Sequence, residues 1–146
     1  MAEPLSTIAS VIAVLQLSAA ATQYLKDFKH GSIDRLRLRD ELRNTTCLLE
    51  MLKDRIEDAE DSSNKALKPT SLEALAAPDG PLSLFKQILE DIIKKLAPYN
   101  KSRKLTQTFT WPFDKKDIAE MLAALERLKT HFNLIIQNDF VYVHPL

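Results

Sequence analysis

The first segment of the chain, Pro4 to Leu25, is apolar on every side and carries no charged residue, although 27% of the whole chain is charged. Its larger apolar residues recur at spacings of three and four, the period of an α-helix: Leu5, Ile8, Ile12, Leu15 and Ala19. Val11, Val14 and Leu17 fill the other faces. Because a helix that is apolar nearly all round is buried or sits in lipid, we predict a central bundle helix, a membrane-seeking helix, or each in turn.

The composition of this helix favours a buried core helix over a permanent membrane span. The segment is long enough to cross a bilayer, which takes about 20 residues. Its apolar character is diluted, however, by hydroxyl and amide side chains: Ser6, Thr7, Ser10, Gln16, Ser18, Thr22 and Gln23. Small residues such as Ala9, Ala13 and Ala20 would let a neighbouring helix come close in either setting.

Two further long helices follow from the same spacing. The second is predicted to run from Ser32, after a Gly31 C-cap, to about Asp61. The stripe of residues that it would bury, called its seam below, comprises Leu38, Leu42, Thr45, Leu49, Leu52, Ile56 and Ala59. The third begins at Pro81 and is expected to end at Pro98, since proline interrupts helix hydrogen bonds. Its apolar face comprises Leu82, Phe85, Ile88, Leu89, Ile92 and Leu96.

The fourth long helix has the clearest start signal. Asp114 is placed to cap it, Asp117 falls at the third position, and Phe113 and Ile118 have the spacing of a hydrophobic staple. Its seam comprises Ile118, Met121, Leu125, Leu128, Phe132 and Ile135.

The predicted fold is all-α, an antiparallel bundle of four main helices with a short extra helix, over residues 1–139. The extra helix fits Ser71 to Ala77, where Thr70 and Glu73 have capping-box spacing. Only 2 glycines occur in 146 residues, fewer than the turns of a β-rich fold require. Residues 140–146, FVYVHPL, are apolar and β-prone. They are either a short extended tail or the mark of a chain cut from a longer one.

The charge balance disfavours a nucleic-acid binder, because the formal net charge is zero and such domains are usually basic. One stretch is nevertheless basic and free of acids: Lys94, Lys95, Lys101, Arg103 and Lys104. It is either an ordinary solvated linker or a patch for anionic phospholipid, at about 1 kcal/mol per basic side chain. The nearby Tyr99, Phe109 and Trp111 are too sparse for a platform that stacks bases.

The second helix also separates its charges, with arginines first (Arg35 to Arg43) and acids last (Glu57 to Asp61). This order opposes the helix dipole. A solvated outer face is the simplest interpretation, and a partner-docking face is the alternative.

No catalytic, metal-binding or cofactor-binding site is predicted, and no small-molecule substrate is expected. The 3 histidines lie far apart, and the chain has no HExxH, CxxC, GxSxG or glycine-rich phosphate loop. Cys47, the only cysteine, lies in a leucine-rich run and is predicted to be a small core residue in a reducing, cytoplasmic compartment. No Lys or Arg precedes the apolar run, so a secretory signal is not expected.

Three segments in a fixed order carry a family resemblance: MAEPLSTIASVIAVLQLSAAATQYLKDF, GPLSLFKQILEDIIKKLAP and TFTWPFDKKDIAEMLAALERLKTHFNLIIQND. Together they resemble the fungal Helo-like N-terminal domain of STAND proteins, a family also labelled after a protein of azaphilone-pigment gene clusters. The resemblance covers Pro4 to Asp139. The positions of the last segment that match are Trp111, Pro112, Phe113, Lys116, Ile118, Leu125, Glu126, Arg127, Lys129, Phe132 and Asp139.

The resemblance implies a helical domain at the front of fungal NOD-like receptors, ahead of a nucleotide-binding domain and repeats. Related Helo-type domains carry out regulated cell death by attacking the plasma membrane through their N-terminal helix. The family has no known catalytic residues, so none is carried over. This chain departs from that architecture, since it reaches Leu146 with no P-loop and no repeats. We expect a stand-alone module or a truncated receptor fragment.

Two functional hypotheses follow. In the first, the chain is a cytoplasmic effector recruited to the plasma membrane, and its first helix is buried at rest and then inserted. The inserting residues would be Leu5, Ile8, Val11, Ile12 and Leu15, with the basic stretch holding the bundle on anionic lipid. In the second, the first helix never leaves the core, and the chain is an interaction or self-association module that docks a protein partner.

Overall fold

The computed structural model describes residues 4–28, 33–62, 65–101 and 111–142. Four long helices and one short helix form a single bundle, which confirms the predicted all-α fold. The helices are α1 (Pro4–Asp27), α2 (Ile33–Ser62), α3 (Pro69–Ala76), α4 (Pro81–Lys101) and α5 (Lys115–Asn138). Two short strands accompany them, β1 (Lys65–Leu67) and β2 (Phe140–Tyr142). The proposed caps Gly31 and Ser32 lie outside the described residues.

The long helices form two antiparallel pairs. In the first pair, Ser18 of α1 meets Thr46 of α2, and Leu25 meets Arg35. In the second pair, the ring of Phe85 near the start of α4 lies 6.3 Å from that of Phe132 near the end of α5. The pairs join because α1 packs against α4 and α2 packs against α5.

The core is built from the seams predicted for the second, third and fourth long helices. Every seam residue of α2 and α4 is buried, and so is every seam residue of α5 except Met121, which is half-buried. Ala124 and Ile136 of α5 join the same core. Since full burial of one large apolar side chain contributes roughly 1.5–3 kcal/mol, these three seams supply most of the stabilisation.

A two-stranded ladder closes one end of the bundle. β1 and β2 are antiparallel, with Ala66 opposite Val141. The backbone N–H of Lys68 donates to the carbonyl of Asp139 (3.0 Å), and the Ser71 hydroxyl donates to the Asp139 carboxylate (2.6 Å). Residues 140–142 therefore pack on the bundle as an extended segment, and residues 143–146 lie outside the described part. The C-terminal ends of α2 and α5 consequently lie at the same end.

The start of α5 confirms the predicted capping box. The Asp117 N–H donates to the Asp114 side chain (2.7 Å), and the Asp114 N–H donates to the Asp117 side chain (3.2 Å). Phe113 and Ile118, the predicted staple, are both buried in the core. Two helix-end donors are thereby satisfied in an exposed turn.

Two other predicted helix ends are wrong. α3 begins at Pro69, and the residue before it, Lys68, makes no side-chain cap hydrogen bond, so Thr70 and Glu73 form no capping box. Proline at the first position starts the helix instead, because its ring already holds the helical φ and its missing N–H is not needed there. Pro98 does not end α4, which continues to Lys101. Pro98 is exposed and lies in the last turn, where water can satisfy the carbonyl that it leaves unpaired.

Cys47 was predicted to be a core residue, and this is also wrong, because its side chain is exposed. The buried seam of α2 passes through Thr45 and Leu49. A residue two positions from Thr45 is turned by about 200° around a helix of 3.6 residues per turn, so Cys47 points away from the seam.

Candidate functional site

The side of α1 that faces the bundle is made of small and hydroxyl-bearing residues. The buried positions alternate spacings of four and three: Thr7, Val11, Val14, Ser18, Ala21 and Leu25. Only Val11, Val14 and Leu25 among them are large and apolar. This seam lets α2 and α4 approach α1 closely, as small residues do at helix interfaces.

The sequence suggested that the residues proposed to insert into lipid form the buried face of α1 at rest. The buried face in the structure is a different one. Ile8 and Leu15 are half-buried, and Ile12 is 39% exposed. Of the proposed inserting residues only Val11 is a core residue, and the side chain of Leu5 lies outside the described part. The expectation that Ile8, Ile12 and Leu15 are all buried at rest is wrong for Ile12, whereas Ile8 and Leu15 pack partly buried against the core.

The outer face of α1 is consequently uncharged and exposed. It carries one isoleucine among small and amide side chains: Ala9, Ile12, Ala13, Gln16, Ala19, Ala20 and Gln23. Within the described residues, Thr7–Asp27 is a helix long and apolar enough to cross a membrane, judged by length and composition. The core helix of a soluble protein and a signal sequence near the N-terminus pass the same test, so the length and composition of α1 are weak evidence for membrane contact. Ile12 is the one large apolar side chain among the exposed residues from Thr7 to Asp27.

Two polar contacts attach α1 to α2. The Thr46 hydroxyl donates to the Leu42 carbonyl (2.7 Å), so the buried Ser18 hydroxyl donates to the Thr46 oxygen. The Arg35 guanidinium donates to the Leu25 carbonyl (2.8 Å) in the last turns of α1. A cation at this end of a helix is favourable for the helix dipole. Arg35 is therefore a cap for α1 and not simply a solvated charge.

The end of α1 rests on an aromatic cluster formed by the segment before α5. The rings of Phe28 and Trp111 are 5.3 Å apart in an edge-to-face arrangement, and those of Trp111 and Phe113 are 5.1 Å apart. Pro112, between them, is half-buried. Trp111, Pro112 and Phe113, which carry the family resemblance, therefore hold the end of α1 against the start of α5.

The other positions of that resemblance lie partly in the core and partly at the surface, since Ile118 is buried whereas Lys116, Glu126 and Arg127 are exposed. Leu125 and Phe132 are fully buried. The Lys129 ammonium lies 2.6 Å from the Glu41 carboxylate of α2 and 2.9 Å from that of Glu126. The hydrogen bond to Glu41, followed in size of effect by the one to Glu126, raises the pKa of Lys129 above its ordinary value. Lys129 thus ties α5 to α2.

The basic stretch is only partly described, and it is less free than its sequence suggests. Lys94 and Lys95 are exposed on α4. Lys95 lies 3.9 Å from the Asp117 carboxylate and 5.0 Å from the centre of the Phe113 ring, so an acid from α5 offsets its charge. The side chain of Lys101, and all of Arg103 and Lys104, lie outside the described residues.

A basic residue that sequence reasoning missed lies closer to α1. Lys86 of α4 is exposed and lines a shallow pocket of about 230 Å³ with Ser10, Ala13 and Leu17 of α1. No sequence signal marked it, since it lies 59 or more residues from α1 along the chain and follows an apolar run. It places a cation beside the uncharged outer face.

No group of three or more metal-binding side chains occurs among the described residues. His131 is exposed, while His30 and His144 lie outside the described part. No protein-family model, curated protein or solved structure matches this chain. Membership of the Helo-like family therefore stays a prediction that rests on the resemblance described above.

Proposed function

We propose that this chain is a non-enzymatic helical effector domain that binds membranes through α1, of the kind found at the front of fungal NOD-like receptors. The observation that supports the proposal is the exposed face of α1. A helix that carries no charge from Pro4 to Leu25 and is long enough to span a bilayer keeps Ile12 and its small neighbours at the surface of the folded bundle. Such a face can reach lipid before any helix moves.

Electrostatics would favour anionic lipid as the surface. Lys86 lies beside the outer face of α1, and Lys26 is exposed in its last turn. Each basic side chain near an anionic bilayer contributes about 1 kcal/mol. The protein would thus be cytoplasmic and recruited to the inner surface of the plasma membrane.

Insertion of α1 into the bilayer would be a second step, because Val11, Val14 and Leu25 are buried against other helices. α1 buries those three large apolar side chains, whereas α4 buries six, from Leu82 to Leu96. α1 also holds Ile8, Leu15, Leu17 and Tyr24 partly buried against the core, so its release would expose these side chains as well. Regulated cell death would be the consequence of its insertion.

The test is co-flotation with, and dye leakage from, phosphatidylcholine vesicles of graded phosphatidylserine content. We expect Ile12→Glu to weaken co-flotation about tenfold or more, since burying an isoleucine contributes roughly 1.5–3 kcal/mol. Gln16→Glu places an acid on the same face at an exposed position, so its effect does not depend on the burial of an apolar side chain. Both variants are preferable to Leu15→Glu or to removal of residues 1–25, which would disturb buried positions.

The matched controls are Leu134→Glu and Gln137→Glu on α5. Leu134 is 51% exposed, somewhat more than Ile12, and Gln137 is exposed. These variants should bind vesicles as well as the unaltered chain does. Equal losses of vesicle binding for the variants of both helices, or no co-flotation of the folded chain at low salt, would refute the membrane hypothesis. The alternative would then stand, an interaction or self-association module with no membrane activity.

A further inference from the structure

A groove runs between α4 and α5 on the surface of the bundle. These two helices pack less closely than the other neighbouring pairs of long helices, and they enclose an open volume of about 260 Å³. Its floor is apolar, with Ile88 and Ala124 buried beneath it and Leu84 and Met121 half-buried along its walls. The groove is therefore an apolar surface that the chain leaves uncovered within its described part.

The rim of this groove is acidic. Asp91 on α4 and Glu120 on α5 are exposed at its edges, and Asp117 lies at one end. Lys95 is the one cation among the residues that line the groove, and its ammonium is already beside Asp117. Asp91 and Glu120 make no ion pair among the described residues. An acidic rim repels anionic lipid, so this face does not suit the membrane surface proposed for α1.

Lys95 also shows how the groove accommodates a basic side chain. Its ammonium lies between the Asp117 carboxylate and the face of the Phe113 ring. This arrangement combines ion pairing with a cation–π contact. A second cation, supplied from outside, would meet the carboxylates of Asp91 and Glu120, which lie about one turn from Lys95 and Asp117 along the same groove.

The dimensions favour a short helix as the ligand. Ligand pockets for small molecules enclose roughly 300–1,000 Å³ and bury most of the ligand, and this groove is smaller and open along its length. From Leu84 to Lys95 it extends about 16 Å, or three turns, at 1.5 Å per residue. Helices that bind in grooves insert apolar residues at spacings of three and four and keep polar residues at the rim.

We propose that the groove between α4 and α5 binds a basic amphipathic helix of a partner protein. Apolar side chains of that helix enter between Leu84 and Met121, and its Lys or Arg side chains pair with Asp91 and Glu120. Recognition combines apolar burial for affinity with charge complementarity for selection. The proposal does not depend on membrane binding by α1.

The test uses a fluorescent synthetic helix of about 12 residues, with Leu at spacings of three and four and Lys at the flanks. Binding to the full chain is measured by anisotropy and mapped by amide chemical shifts. We expect saturable binding with shifts at Leu84, Met121 and their neighbours. Asp91→Lys with Glu120→Lys should weaken it about tenfold at low salt, and much less at ~1 M salt, where charges are screened.

Glu90→Lys is the matched control, since Glu90 is exposed on α4 but does not line the groove. A peptide with Glu in place of Lys, and one with the same residues in scrambled order, should both bind weakly. Equal effects of Glu90→Lys and of Asp91→Lys, each made alone, would overturn the proposal, as would equal binding of the scrambled peptide. Self-association of the chain that Glu120→Lys abolishes would also overturn it, because a second copy would then be the occupant.

Discussion

At the scale of single residues, polar side chains add contacts between elements that the apolar core already brings together. Ser18 contacts Thr46, Arg35 caps α1 through Leu25, and Ser71 donates to Asp139. Each link joins two elements that are separate along the chain. Buried or half-buried polar groups of this kind are costly to leave unpaired, so they specify one arrangement of helices more sharply than apolar contacts alone.

Lys129 provides a prediction on pH. Its pKa is raised above the ordinary 10.5 by Glu41 and Glu126, so the ammonium stabilises the fold fully below 10.5 and loses that contribution as pH rises through its folded value. Lys129→Met should lower the free energy of unfolding by about 1 kcal/mol at neutral pH. The difference from the unaltered chain should shrink above pH 10.5.

Urea unfolding at a series of pH values measures this difference. Lys94→Met, at an exposed position of α4, is the control and should leave the pH dependence unchanged. A difference for Lys129→Met that stays constant to the highest pH would show that the ammonium is not the group that stabilises the fold.

The backbone of Ala74 lies so close to Gly80 that it leads to a prediction on stability. A Cβ at this position would collide with the Ala74 carbonyl oxygen, and the Gly80 N–H donates to the Ala77 carbonyl (2.9 Å) in the same turn. Gly80→Ala should therefore lower the free energy of unfolding by about 1–3 kcal/mol, as overpacking does. Asp79→Ala, at the exposed neighbouring position, is the control in chemical denaturation. Equal stabilities for the two variants would show that the turn shifts freely.

At the scale of elements, the four long helices are not held equally. α4 and α5 bury seams of leucine, isoleucine and phenylalanine, and the seam of α2 also contains Thr45 and Ala59. The seam of α1 includes Thr7, Ser18 and Ala21, while Ile8, Leu15, Leu17 and Tyr24 pack partly buried against the core. The membrane hypothesis requires α1 to separate from the other helices against these contacts.

Native-state hydrogen exchange tests directly whether α1 separates from the bundle before the other helices unfold. We expect the amides from Val11 to Ala21 to exchange at least about tenfold faster than those from Leu89 to Ile92, because α1 opens without global unfolding. Mass spectrometry of the folded chain over increasing times would measure both segments together. Exchange of both at one common rate, with the same denaturant dependence, would show that α1 leaves only when the whole bundle unfolds.

At the scale of the whole molecule, the net charge is zero, but two surfaces differ in their local charge. The outer face of α1 is uncharged, with Lys86 beside it, and the groove between α4 and α5 has an acidic rim. α1 packs against α2, α3 and α4, so its outer face and the groove are different surfaces of the bundle. A lipid surface and a basic partner helix could therefore be bound by the same molecule.

The amino-acid sequence determined the helices and most of the core. Strongly apolar residues at the helical period specify a buried face locally, so the seams of α2, α4 and α5 were predicted correctly. The capping box at Asp114 and Asp117 was predictable for the same reason, since its two residues are three apart. These features depend on neighbours within one or two turns.

Only the tertiary structure decided which face of α1 is buried. A helix that is apolar on all sides has no preferred face of its own, and close packing along Ser18 and Ala21 turned Ile12 outward. The partner of Lys95, the pairing of β1 with β2 and the groove between α4 and α5 likewise join residues far apart in the chain. Their positions follow from how the helices pack together, and the spacing of residues within one helix does not encode that packing.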